Sequence, residues 1–215
     1  MNTTLIAGVH NYCDRWCERC RFQQRCTVFT GRDPSPEHAG PPPAWMEEIF
    51  NATPTEAEIK EFEAEEEARD KQLAVDPLVL GSREYAEITH NLTEALRPMV
   101  ESDGDAVVLS ALDVIQWHTW LIAVKAHRAA HGQLWDRDEG EHDVQSDANG
   151  TAKLLRVILA ESRDAWSVLM QAGHAIADGV PGQMVKRLEA LDESVAARFP
   201  RAMEFVRAGF DDEPA

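Results

Sequence analysis

Basic side chains are scarce in this sequence. Its 21 lysines and arginines stand against 38 aspartates and glutamates, a net charge of −17 over 215 residues. Phosphate binding needs a basic footprint, so this balance argues against a general nucleic-acid surface and against anionic membrane surfaces. Uninterrupted apolar runs are short as well. None approaches the roughly 20 residues that span a bilayer. The start, MNTTLIAGVHNYC, has no basic n-region, and its apolar piece Leu5–Val9 is too short for a signal peptide. A cytoplasmic protein with neither nucleic-acid nor membrane partner is the expectation. Also missing are a Walker loop, a dinucleotide glycine fingerprint and a G-x-S-x-G elbow. No alternating strand pattern and no internal repeat is visible. The six histidines from His90 to His174 read as scattered, not spaced like a zinc-protease site.

Cysteine is rare too, and its placement carries the sharpest chemistry. All four cysteines fall within Cys13–Cys26, CDRWCERCRFQQRC, spaced C-x3-C-x2-C-x5-C. In a reducing compartment such a group predicts thiolate ligands rather than disulfides, and two disulfides in so short a loop would be cramped. Structural zinc sites commonly use two C-x2-C knuckles far apart in sequence, pinning the tetrahedron from two sides. Here one short segment must wrap the metal, a habit of [4Fe–4S] binders. Charge agrees, because Arg15, Arg19, Arg21 and Arg25 outnumber Asp14 and Glu18 by two. That excess offsets the roughly two negative charges of an oxidised thiolate-ligated cluster. Trp16 and Phe22 are placed to shield it. The expected cofactor is a [4Fe–4S] cluster on Cys13, Cys17, Cys20 and Cys26. Zinc on the same four is the alternative, and free thiols or a redox disulfide the third reading.

Two resemblances attach to these residues. Cys13, Cys17 and Cys20 read C-x3-C-x2-C, which resembles the cluster loop of radical S-adenosylmethionine enzymes. That family implies a β/α barrel and an iron left open for the cosubstrate. In this chain Cys26 supplies a fourth ligand, and a proline-rich stretch and helices follow. The pair NYCDRWCERC near the start and SDANGTAK before a helix resembles a group of uncharacterised bacterial proteins with a four-cysteine motif and a helical C-terminal domain. It implies no activity.

The fold class expected is all-α: a helical bundle of four to five main helices preceded by the four-cysteine metal-binding module. The module takes residues 1–30, a Pro-rich connector 31–54, an acidic helix 55–75, and the bundle 76–210. Trp45, Met46, Ile49 and Phe50 offer an anchoring turn within the connector. Thr53-Pro54-Thr55-Glu56 reads as a capping box with Thr53 as N-cap. The segment from Glu56 to Asp70 carries eight acids and two bases, a solvated or partly disordered helix. Asp76-Pro77 opens a helix to about Val100, with Leu78, Tyr85, Ile88, Leu92, Leu96 and Met99 on one face. Residues 105–131 form the most apolar helix, leaving a polar stripe of Asp113, Gln116, His127 and His131. Gly132 to Gly150 reads as a long acidic loop. Helices then follow from Thr151 to Ala172, with Leu154, Leu155, Ile158, Ala165, Trp166 and Leu169 inward, and along Met184, Leu188, Leu191 and Val195. A short sixth helical piece, Arg201–Phe210, closes the chain.

Three weaker constellations remain. Glu87 and His90 have the Glu-x-x-His form of di-metal carboxylate sites, but they point off the apolar face and no second copy exists. Asp147-Ala-Asn149-Gly150 is a fragment of a calcium loop and fits a helix cap better. His118, Lys125 and Glu161 sit on or beside apolar faces. They predict either a core network with a Lys125–Glu161 pair or a polar pocket with His118 as general base. The function expected is a cytoplasmic metal-binding protein, an iron–sulfur protein for electron transfer or redox sensing with a protein or redox partner. The alternatives are an interaction protein with a structural four-cysteine zinc site and an enzyme using the bundle pocket.

Overall fold

The computed structural model describes residues 4–31, 53–139, 143–172 and 179–212. The connector expected over 31–54, with its anchoring turn, lies outside the described residues except at 31 and 53–54. The chain forms two compact units, residues 1–72 with 207–215, and residues 73–206. Among the described residues all regular structure is helical.

Helix α1 spans Glu56–Leu73. Its capping box is real but sits two residues later than expected. The Thr55 amide donates to the Glu58 carboxylate at 2.7 Å, and the Glu58 amide donates to Thr55 Oγ1 at 3.3 Å. The sequence offers two candidate threonines, each with a glutamate three residues on, and the backbone geometry selects Thr55 with Glu58. Ile59 and Phe62 are exposed, as a solvated helix requires.

The second unit is a four-helix ring: α2 (Pro77–Asp103), α3 (Ala106–Glu139), α4 (Asp147–Gln171) and α5 (Val180–Arg198). Each helix packs on the next, and α5 returns to α2. Asp76 fixes the start of α2, where its Oδ1 accepts from the amides of Leu78 and Val79 at 3.0 and 3.3 Å. Its Oδ2 takes Arg198 Nη1 at 2.5 Å, tying the beginning of the bundle to its last helix. Gly104, at φ +70°, ends α2 in the left-handed conformation that favours glycine. Asp105 caps α3 through the amides of Val107 and Val108. Ion pairs fasten neighbours outside the core. Arg97 on α2 reaches Asp113 on α3 at 2.7 Å, and Arg156 on α4 reaches Asp192 on α5 at 2.7 Å.

The expected acidic loop from Gly132 is a correction. Helix α3 runs on to Glu139, and α4 begins at Asp147 under a Ser146 cap. Gly132 is not a terminator but a point of close approach. A Cβ there would lie 3.3 Å from that of Ala148 on α4. The small residues of Asp147-Ala-Asn-Gly-Thr-Ala serve the same crossing, and Ala148, Gly150, Thr151 and Ala152 are all buried.

The inward faces of α4 and α5 are as expected. All the named apolar residues on them are buried, Trp166 completely. On α2, Met99 is exposed and Val100 takes its place in the core. The short sixth helix is a second correction. Only a 3-10 turn, Ala202–Glu204, forms there. Lys153, 8 % exposed, holds this turn from α4 by donating to the carbonyls of Met203 at 3.3 Å and Phe205 at 2.5 Å. Lys153→Met keeps the volume and strips both carbonyls of their donor. Urea unfolding should show a loss of about 1–3 kcal/mol.

Helix α3 packs against both α2 and α4. Over Ala106–Asp136 it is also long and apolar enough, by length and composition, to cross a membrane. No run of that length is free of polar residues, but the interruptions are mostly uncharged. Its expected polar stripe is mixed in fact. Trp117, Trp120 and Val124 are exposed beside Asp113, His127 and His131.

Candidate metal centre

The cysteine segment is built from two successive 3-10 turns, Cys17–Arg19 and Gln23–Arg25. A cysteine in extended conformation follows each. The Cys20 amide closes the first turn on the Cys17 carbonyl, and the Cys26 amide closes the second on Gln23. The Gln23 side-chain amide donates to the Cys17 carbonyl, joining the two turns. The loop ends are tied by the Ile6 amide on the Arg25 carbonyl at 2.9 Å and by Arg25 Nε on the Thr4 carbonyl at 2.9 Å.

Between Cys13 and Cys17 the backbone is strained. Arg15 has φ +63°, the one described non-glycine residue in the left-handed region. Such outliers persist where surrounding structure demands them and concentrate at functional loops. Here the turn lets the Arg15 amide approach the Cys13 sulfur. Arg15→Gly should leave local stability within about 0.5 kcal/mol, since relief of strain is offset by the freer unfolded chain. Arg15→Val should cost about 1–2 kcal/mol, because a β-branched residue fits poorly at this φ. Amide hydrogen exchange over residues 13–20 reads both.

All four cysteines line one pocket, together with Trp16, Phe22, Phe29 and Phe210, and it is partly open to solvent. No disulfide joins them. No three of their sulfurs lie within 4.8 Å of one another. Burial pushes the Cys13 and Cys20 thiols up, opposed by amide donors from Arg15 and Phe22. Without a metal these two side chains are therefore protonated at neutral pH, which disfavours a thiolate nucleophile. The arginines do more than supply charge. Arg19 lies 3.9 Å over the Trp16 ring and Arg21 lies 4.6 Å over Phe22.

One wall comes from a segment that sequence reasoning assigned to the bundle. Arg21 donates to the carbonyls of Gly209 and Phe210 at 3.4 and 3.5 Å. The Phe210 ring meets Phe22 edge-on at 5.0 Å. Gly209 has φ +77°, and a Cβ on it would lie 3.1 Å from Ile6 and Val9 side-chain atoms. The only sequence signal for this docking was an aromatic directly after a glycine near the chain end.

In the bundle, His118 and Glu161 do meet. His118 Nε2 lies 3.5 Å from Glu161 Oε2, and Nδ1 lies 3.2 Å from Ser162 Oγ. Ser162 was missed by sequence reasoning. The connectivity serine–histidine–carboxylate is that of a hydrolytic triad, but the burial is inverted. Ser162 is 0 % exposed, whereas the Glu161 side chain is 53 % exposed. A nucleophile sealed in the core meets no substrate, so the geometry suits a polar tie between α3 and α4. Lys125 is buried two turns further along α3, about 10 Å away along the axis.

Glu87 and His90 are both exposed, and the His90 ring lies 5.9 Å from Trp120. The calcium fragment is not the cap expected for a helix from Thr151: Asp147 to Gly150 form the first turn of α4, and the residue before them, Ser146, is the cap. Ser146 Oγ accepts from the Asn149 amide, and Asp147 is held by Arg128 at 2.9 and 2.5 Å. The histidines are not all scattered. His127 and His131 stack on α3, ring centres 6.3 Å apart and planes 11° from parallel. No family model, curated protein or solved structure matches this chain.

Proposed function

We propose that this is an iron–sulfur protein in which Cys13, Cys17, Cys20 and Cys26 hold a [4Fe–4S] cluster for electron transfer or redox sensing. The observation that carries the reading is the single aromatic-walled pocket lined by all four cysteines. One further feature supports it. Among the described residues, the buried core around the cysteines is Val9, Phe22 and Cys26, with Ile6, Cys20 and Phe210 packed around them. So small a core needs a staple, and a metal centre supplies one.

In this role the amide donors at Cys13 and Cys20 and the arginines around the loop raise the cluster's potential by stabilising its reduced, more negative form. Protein purified without oxygen should be brown, with broad absorbance near about 400 nm that bleaches on reduction. A colourless preparation that binds zinc would leave the cysteines as a structural staple instead.

A further inference from the structure

We infer that His127 and His131 form a second metal site, a two-imidazole chelate on α3 for a divalent ion of the nickel and zinc class. Residues four apart on a helix share one face, and two histidines at that spacing are how H-E-x-x-H helices present a pair of zinc ligands. The intervening sequence here is Arg-Ala-Ala, so the general-base glutamate of those enzymes is missing and the pair can bind without catalysing.

His127 is exposed and His131 half-buried, and their rings stand side by side, stacked nearly parallel with centres 6.3 Å apart. Metal–nitrogen bonds lie in the imidazole planes, so the rings share an ion only after turning about their side-chain bonds until the nitrogens converge, which brings the centres to about 5 Å. The exposure of His127 leaves room for that turn. Imidazole is a borderline ligand that suits nickel, zinc and copper. Arg128, between the two histidines in sequence, is engaged by Asp147 through both carboxylate oxygens, which offsets its repulsion of an ion. The chain's net charge of −17 raises the local concentration of cations generally. Trp135, its ring 6.3 Å from that of His131, walls one side. No other two histidines in the sequence stand four apart.

The test is a calorimetric titration of Ni²⁺ into the full chain, purified anaerobically with its cysteine centre as isolated. Wild type, His127→Ala, His131→Ala and His90→Ala are compared, each shown helical by circular dichroism. Wild type and His90→Ala should bind one ion at this site alike. Each of the other two should lose about 100-fold in affinity, because the second imidazole no longer binds intramolecularly. The comparison is between variants that share the same cysteines, so it stands whether the cysteine centre is iron–sulfur, zinc or neither. Equal Ni²⁺ binding by all four proteins, no binding by wild type, or loss in only one of the two histidine variants would each overturn the chelate.

Discussion

Serine in place of Cys20 should abolish the cluster and unfold the N-terminal unit while leaving the bundle intact. A serine hydroxyl is a hard, neutral donor at physiological pH and does not replace a soft thiolate on iron. Cys20 also has the most central place in the loop. It closes the first 3-10 turn, its sulfur accepts from the Phe22 amide at 3.4 Å, and its side chain packs on the small core. That core, three buried residues among those described, has little apolar area of its own to offset the entropy of ordering residues 4–31. Metal-binding energy must stand in for it, so loss of the metal is loss of the fold. Hydrogen exchange should show amides of residues 4–31 near unprotected rates in Cys20→Ser. Helices α2 to α5 should keep their wild-type protection, since their core lies within residues 73–206. Retention of the visible spectrum in the variant would remove Cys20 from the ligand set.

Trp166→Ala should be the most damaging single change in the bundle. Trp166 is 0 % exposed near the C-terminal end of α4, and its Nε1 donates to the Tyr85 hydroxyl on α2 at 3.1 Å. Truncation removes a large buried ring and leaves a cavity, at a cost of about 3–5 kcal/mol. That is a large part of the roughly 5–15 kcal/mol typical of a whole domain. Trp166→Phe fills most of the space and should lose about 1–2 kcal/mol, separating the hydrogen bond from the packing. The same pair predicts alkaline behaviour. Burial pushes the Tyr85 hydroxyl up to about 12, against the hydrogen bonds from Trp166 and Thr89. Its unfolded value is near 10, so the folded state keeps a proton that the unfolded state releases. This contribution is full below about pH 10 and disappears as pH rises through about 12. Denaturant unfolding from about pH 9 to 12 should show stability falling more steeply in wild type than in Tyr85→Phe.

The sequence made the helical fold legible because the period of apolar residues survives into the core. Leu154, Ile158, Ala165 and Leu169 on α4 and Met184, Leu188 and Val195 on α5 are buried as their spacing implies. What misled was punctuation. Gly132 looked like a helix end and is a crossing point, a distinction that exists only once Ala148 is seen opposite it. Ser102, Asp103 and Asp105 are equivalent cap residues by type, and only backbone geometry selects Asp105.

The four-cysteine site was legible because its ligands are close in sequence. Its fourth aromatic wall was not, because Phe210 arrives from 184 residues beyond Cys26. The His127–His131 pair was visible as spacing but was read among the other histidines. Only the long continuous α3 places both rings on one exposed face. Ser162 shows the opposite case, a buried hydroxyl whose partner 44 positions away nothing in the local pattern announces.

The most direct test of the central claim is the iron and acid-labile sulfide content of wild-type protein purified without oxygen. A [4Fe–4S] centre on Cys13, Cys17, Cys20 and Cys26 predicts about four iron and four sulfide per chain, lost together in Cys20→Ser. One zinc per chain, with no iron or sulfide, would contradict it.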